Sequence, residues 1–262
     1  VGNQFRCGLS SGGNAMMFMR KIIFALALLF APSFAFAANC TNGTIITAPG
    51  AGNCTVPSGI TSMTFWAWGG GASGANEAIG GNAGPGGGFC KITLTVTPGN
   101  TVYYSVAAAV TGGSNTGVSG NTSWTNISAN AQPSSLSNGC YASGGNSSGN
   151  VGGAPGPSGA SGYTGGNATA PGSSDGGGGG AGSGGNGGNS NGTGGGIGGT
   201  PDGGPGGNYS GNSTGFAGTA PGGGGGASSF DAGGNGARGQ IEISWGVAPA
   251  STPFIFIPAI IP

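Results

Sequence analysis

Histidine is absent from the chain, and charged residues make up only 4% of its 262 positions. Without histidine no ordinary Ser-His-Asp or Cys-His arrangement can be assembled, since no other unperturbed side chain relays a proton near neutrality. A zinc centre loses its commonest nitrogen ligand, and no two cysteines stand at C-x₂-C spacing. Basic residues are scarcer still beyond residue 37, where Lys91 and Arg238 face Glu77, Asp175, Asp202, Asp231 and Glu242, a balance of −3. A patch able to neutralise a phosphate backbone cannot be built from two cations, so nucleic acid is not an expected partner. The Gly-Lys-Ser/Thr of a phosphate loop is missing, and G-x-G-x-x-G matches recur so freely among 68 glycines that they carry no information about a dinucleotide. Asp175, Asp202 and Asp231 fit neither the calcium helix-loop nor the nonapeptide calcium repeat. No cofactor is expected, and an enzyme is the least supported class.

A run of apolar residues long enough to cross a bilayer is also lacking. The longest, Ile22 to Ala31, falls well short of the roughly 20 residues required and ends at Pro32. With Arg20 and Lys21 before it and Ala35-Phe36-Ala37 after it, the segment 16–37 reads as a cleaved bacterial secretory signal. Residues 1–15 precede any methionine and read as an upstream extension or fragment end. No stable membrane span is expected once the signal is removed.

Export implies an oxidising compartment, and the exported part holds Cys40, Cys54, Cys90 and Cys140. Three pairings are possible. The favoured one joins Cys40 with Cys54 across a short loop, and Cys90 with Cys140, both at strand-like apolar positions.

Period-two alternation marks four strands, each flanked by turn residues. Residues 61–68 place Met63, Phe65 and Ala67 opposite Thr64, Trp66 and Trp68. Residues 91–97 place Ile92, Leu94 and Val96 opposite Lys91, Thr93 and Thr95. After the turn Thr97-Pro98-Gly99-Asn100, residues 101–109 place Val102, Tyr104 and Val106 opposite Tyr103 and Ser105, which predicts a hairpin between these two runs. Residues 239–245 place Ile241, Ile243 and Trp245 opposite Gln240, Glu242 and Ser244, a strand expected to close the sheet. Shorter candidates lie at 44–47, 123–128 and 139–143, and nothing beyond the signal reads as a helix.

The expected class is therefore all-β: a small antiparallel, jelly-roll-like β-sandwich whose first part spans 38–143 and whose closing strand lies at 237–247. Between them, 144–236 is a glycine-rich insertion of low complexity. Its composition alone suggests a flexible linker, because so little apolar area offsets an ordering entropy of roughly 1–2 kcal/mol per residue. Against that stands a three-residue period, with glycine at 176, 179, 182, 185 and 188, and again at 195, 198, 204 and 207. A left-handed polyproline-II-type helix lines up every third residue on one edge, where only glycine permits backbone-to-backbone contact.

Isolated aromatics are the candidate contact residues. Tyr163, Tyr209 and Phe216 stand alone in the glycine-rich part, and Trp124 lies in a short strand. Such rings either staple glycine rods onto the sheet or meet a ligand. The tail 248–262 is apolar and rich in proline. Its Phe254-Ile255-Phe256-Ile257 segment would dock on its own domain or complete the sheet of a neighbouring subunit.

The order of these features, from Thr55-Val56-Pro57-Ser58-Gly59 through the aromatic strand 64–71, Gly86-Gly87-Gly88-Phe89, Leu94-Thr95-Val96-Thr97-Pro98-Gly99, 221–227 and Gly236-Ala237-Arg238-Gly239-Gln240-Ile241, resembles the glycine-rich domain family of bacterial exported proteins and phage tail-fibre or adhesin proteins. That resemblance implies a β-sandwich-like domain serving attachment or receptor recognition. The expected function is an extracellular or cell-surface binding module of a bacterium, with a surface glycan or protein receptor as partner. A filament subunit that assembles with copies of itself by strand addition is the alternative, and an ice-binding surface a more distant one.

Overall fold

The computed structural model describes residues 37–76, 82–113, 116–168 and 175–246. The signal segment, the 1–15 extension, Glu77 and the apolar tail lie outside the described residues.

Among the described residues, ten strands form two antiparallel five-stranded sheets. They are β1 (Thr44–Ile46), β2 (Gly50–Thr55), β3 (Ser62–Trp68), β4 (Phe89–Thr95), β5 (Thr101–Val106), β6 (Ser123–Asn126), β7 (Gly139–Ala142), β8 (Pro155–Gly156), β9 (Ser161–Tyr163) and β10 (Gln240–Ser244). One sheet has the order β1-β10-β3-β4-β9 and the other β2-β5-β6-β7-β8. The alternation read from the sequence sets which residues face inward. Met63, Phe65, Ala67, Cys90, Ile241 and Ile243 from the first sheet meet Val102, Val106, Cys140 and Ala142 from the second in one buried core. Period-two side-chain placement makes these the only faces that can be buried together.

The predicted hairpin of 91–97 with 101–109 is not formed. β4 pairs with β3 and β9, whereas β5 pairs with β2 and β6. The turn between them is instead an arch from one sheet to the other. Val56 captures it, donating to the Asn100 carbonyl and accepting from the Gly99 amide, which puts Thr101 in register with Thr55. Gly99 supplies the positive φ of +84°. In opposite sheets each strand turns its apolar face into the core, β4 against β7 and β5 against β10. The closing strand β10 does join the sheet of β3, and lies between β3 and β1.

Both disulfides have the expected partners, Cys40 with Cys54 and Cys90 with Cys140. The second ties β4 of one sheet to β7 of the other.

The glycine-rich chain is ordered into a bundle of extended rods on one end of the sandwich. Rods leave the ends of β3, β5, β7 and β9 and return into β4, β6, β8 and β10. Hydrogen bonding along the rods repeats every third residue. In 69–75, the amides of Gly69, Ala72 and Ala75 bond to the rod holding Gly88, Pro85 and Asn82. Those of Gly70 and Ser73 bond to Asn121 and Val118, and those of Gly71 and Gly74 to Ala237 and Gly234. Three neighbours served in rotation is the signature of a helix with three residues per turn and no internal hydrogen bonds. The amides of Gly176, Gly179 and Gly182 likewise all reach the rod 185–192. Residues 185 and 188, which share their sequence period, lie on that returning rod.

Order here comes from hydrogen bonds, not apolar burial. A methyl group added at Gly178 would stand 2.1 Å from the Gly166 carbonyl oxygen, and one at Gly87 would stand 2.2 Å from that of Gly69. Rods packed this tightly have no room for water, so each inward N–H must find a carbonyl on a neighbour. The bundle also exceeds the predicted 144–236 insertion. It includes 69–75, 82–88 and 117–121, and β8 and β9 fall within the predicted insertion.

Candidate binding surface at the outer end of the bundle

The rods alternate in direction, so the loops fall into two sets. Those at 182–185, 199–203 and 219–222 turn back toward the sandwich. Those at 190–194, 208–215 and 228–233 turn at the far end, where the bundle meets solvent. Two of the outer loops, 208–215 and 228–233, are held together by a hydroxyl network. Ser228 is fully buried. Its hydroxyl donates to the Ser213 carbonyl at 2.7 Å and accepts from the Phe230 and Asp231 amides at 3.4 and 3.1 Å. The Thr214 hydroxyl donates to Asp231 Oδ2 at 2.9 Å, and the Ala232 amide to Asp231 Oδ1 at 2.8 Å. These two bonds, the backbone one first, hold the Asp231 carboxyl below the usual carboxylate range, although it is open to solvent. Tyr209 joins the loops from below. Its ring packs on Ala83, Ala168 and Ala227, and its hydroxyl bonds to that of Ser229.

Fixed in this way, loop 228–233 presents Phe230, 75% exposed, and the rod that follows loop 208–215 begins with Phe216, 59% exposed. A phenylalanine left three-quarters in water forgoes much of its burial energy, about 1.5–3 kcal/mol when complete, and here its backbone is tied so that it does not fold inward. Asp231 is the one charged group of this loop pair, so the surface offers apolar rings among hydroxyls and amides. It is suited to contact and holds nothing that would act as a general acid and base pair.

Of the four aromatic residues picked from the sequence, Phe216 alone stands well exposed at this end. Tyr209 is the staple just described. Tyr163 is a second staple, stacked on Phe89 with ring centres 6.3 Å apart and planes 20° from parallel. Trp124 is half-buried in β6, beside Tyr141 on the outer face of the second sheet. Phe230 was not singled out by the sequence reading. Its signal was there, in an isolated large ring within Ser228-Ser229-Phe230-Asp231, where serine and aspartate favour a tight side-chain-capped turn.

A second cluster lies on the outer face of the first sheet. Trp68 and Phe89 are buried beneath Ala181 of the bundle. Next to them, the Lys91 ammonium sits 4.7 Å from the Trp66 ring centre. Glu242, opposite Trp66, has its pKa raised by burial of the carboxyl and then by the negative charge of Asp202. Asp202 in turn accepts the Ser183 amide at 2.6 Å. The packing of Ala181 on Trp68 and Phe89 fastens an inner bundle loop to the sheet.

Among the described residues no helix is long and apolar enough to cross a membrane. No protein-family model matches the chain, and no curated protein does either.

Proposed function

We propose that the chain is an exported, non-catalytic binding module of the glycine-rich domain type that its sequence resembles, and that it attaches to a surface receptor through the outer loops of its glycine bundle. The observation that carries this reading is Phe230, a large apolar side chain held out in water by a buried serine. Exposed rings on a pre-ordered frame lose little conformational entropy when they meet a partner, which is how interface anchors gain affinity. The two disulfides support an oxidising compartment, and the signal-like segment 16–37 supports export from a bacterium. The receptor is a cell-surface protein or glycan, both of which present apolar patches to stacking rings beside groups that hydroxyls and amides can match.

The test is binding of folded, disulfide-intact protein to whole cells and to a glycan array, comparing the natural chain with Phe216→Ser and Phe230→Ser. The expected result is retention on one class of cell or glycan and at least a tenfold loss in the double variant with an unchanged unfolding midpoint. Equal retention of the two proteins would overturn the assignment to these loops.

A further inference from the structure

Asparagine followed by glycine is the dipeptide most prone to lose its side-chain amide in water, because glycine has no side chain to hinder attack by its own nitrogen on the asparagine Cγ. The chain holds five such pairs, at 42–43, 138–139, 186–187, 191–192 and 235–236. Four are locked. Asn42 accepts the Trp245 amide at 2.8 Å and donates to the Trp245 carbonyl at 3.0 Å, while the Gly43 amide donates to the Ile243 carbonyl at 3.0 Å. Asn186 Oδ1 accepts the Thr164 amide at 2.9 Å, and the Gly187 amide returns to the Thr164 carbonyl at 2.9 Å. Asn235 Oδ1 accepts the Gly112 amide at 2.8 Å, and the Gly236 amide donates to the Val110 carbonyl at 2.9 Å. Gly139 is buried in β7 opposite Asn126, and Asn138 accepts the Ser137 hydroxyl at 3.4 Å. In each of these pairs the asparagine is tied to a neighbour and the glycine nitrogen is held in the fold.

Asn191-Gly192 is built differently. It lies in the outer loop 190–194 with both residues exposed, and among the described residues no group bonds to the Asn191 side chain or to the Gly192 amide. Backbone alone closes the turn: the Asn191 amide donates to the Gly194 carbonyl at 3.1 Å and the Gly194 amide to the Asn191 carbonyl at 3.2 Å. Gly192 has a φ of +55° and open space where a Cβ would stand, so nothing obstructs its nitrogen.

We propose that Asn191-Gly192 is a spontaneous modification site, converting in water to aspartate and isoaspartate. The Gly192 nitrogen gives its proton to hydroxide and attacks Asn191 Cγ. The N–Cγ bond forms, the Cγ–Nδ2 bond breaks, and ammonia leaves with a proton from solvent. Water then opens the succinimide ring at one carbonyl or the other, which gives isoaspartate or aspartate. Either product adds a negative charge at the outer end of the bundle. Isoaspartate also routes the main chain through Cβ and Cγ, so the old Asn191 carbonyl, acceptor of the Gly194 amide, becomes a free carboxylate. Thr193 lies in the same turn and its carbonyl accepts the Tyr209 amide at 2.9 Å, so the change reaches the neighbouring loop.

Peptide mapping by mass spectrometry tests it, on the full, disulfide-bonded chain held at mildly alkaline pH, with the reduced, denatured chain alongside and Asn191→Ser as the variant. In the folded chain Asn191 is expected to gain one mass unit on the order of tenfold faster than Asn42, Asn138, Asn186 or Asn235, whose pairs must first open locally. In the denatured chain all five should react at comparable rates. Ammonia release from the folded variant should fall to the level of the locked pairs. Conversion of Asn191 no faster than the other four in the folded chain would overturn the proposal, and so would ammonia release undiminished in Asn191→Ser. A preference for Asn191 that persists unchanged in the denatured chain would overturn the role given to the fold.

Discussion

Gly84 and Gly224 touch backbone to backbone: a methyl group on Gly224 would stand 1.9 Å from the Gly84 carbonyl oxygen, on a rod whose Gly225 carbonyl accepts the Gly84 amide at 2.8 Å. Neither rod can retreat without breaking bonds to its other neighbours. Gly224→Ala should therefore cost at least the usual overpacking penalty of about 1–3 kcal/mol. Gly185→Ala is the matched control, because its nearest new contact is 3.6 Å from the Thr200 hydroxyl. It should change stability by no more than about 1 kcal/mol, in the stabilising direction if the reduced freedom of the unfolded chain dominates. Denaturant midpoints of the two variants decide the point. Equal effects would mean that the bundle is not packed through its glycines.

The sandwich was legible in the sequence because its strands alternate cleanly: Ile92, Leu94 and Val96 on one face against Lys91, Thr93 and Thr95 on the other leave no choice of buried side. The partner of that strand was not legible. A Thr-Pro-Gly-Asn turn between two alternating runs suits a hairpin, and only the capture of Gly99 and Asn100 by Val56 turns it into an arch. The bundle was half legible. Glycine at 176, 179 and 182 does mark one edge of a rod, but composition could not say that 69–75 and 117–121 join the same lattice, since those segments mix alanine, serine and valine with glycine. Phe230 went unnoticed because exposure is a property of the loop's fixed geometry, set by Ser228, and not of the phenylalanine itself.

The two disulfides should differ in weight. Cys40–Cys54 closes 14 residues and Cys90–Cys140 closes 50. Loop-closure entropy gives about 3 kcal/mol for the shorter and about 4 kcal/mol for the longer. Cys90 and Cys140 are also both fully buried between the sheets. Replacing that pair with alanine should lower the unfolding midpoint more than replacing Cys40 and Cys54, and a reversed order in thermal or denaturant melts would contradict the cross-sheet role assigned to it.

Ser228 should matter to both stability and binding. Removing its hydroxyl takes a partner from the Phe230 and Asp231 amides and the Ser213 carbonyl, and because these residues are exposed, water replaces it in part, so the loss is about 0.5–1.5 kcal/mol. Ser228→Ala should accordingly lower stability and loosen the 228–233 loop. Binding to the receptor surface should weaken even though Phe230 is intact, because the ring is no longer held in place. Full binding by this variant would show that the loop need not be ordered beforehand.

Glu242 gives the fold a pH dependence of unusual sign. Its carboxyl has a folded-state pKa above the ordinary value of 4.5, first because it is partly buried and second because Asp202 is negative nearby. Below the unfolded value both states carry the proton, and the residue has no effect on stability. As the pH rises through the window between 4.5 and the raised folded value, the unfolded chain releases its proton first, so stability falls. Glu242→Gln cannot ionise and should match the natural chain in acid yet exceed it at neutral pH. Most of the group faces solvent and is screened, so the gain should stay below about 1 kcal/mol. Asp202→Asn should recover only part of that gain, and added salt should diminish the Asp202 share while leaving the burial share. If stability curves of the natural chain and Glu242→Gln run parallel from acid to neutral pH, the carboxylate is fully solvated and the inner loop that carries Asp202 does not lie over the sheet.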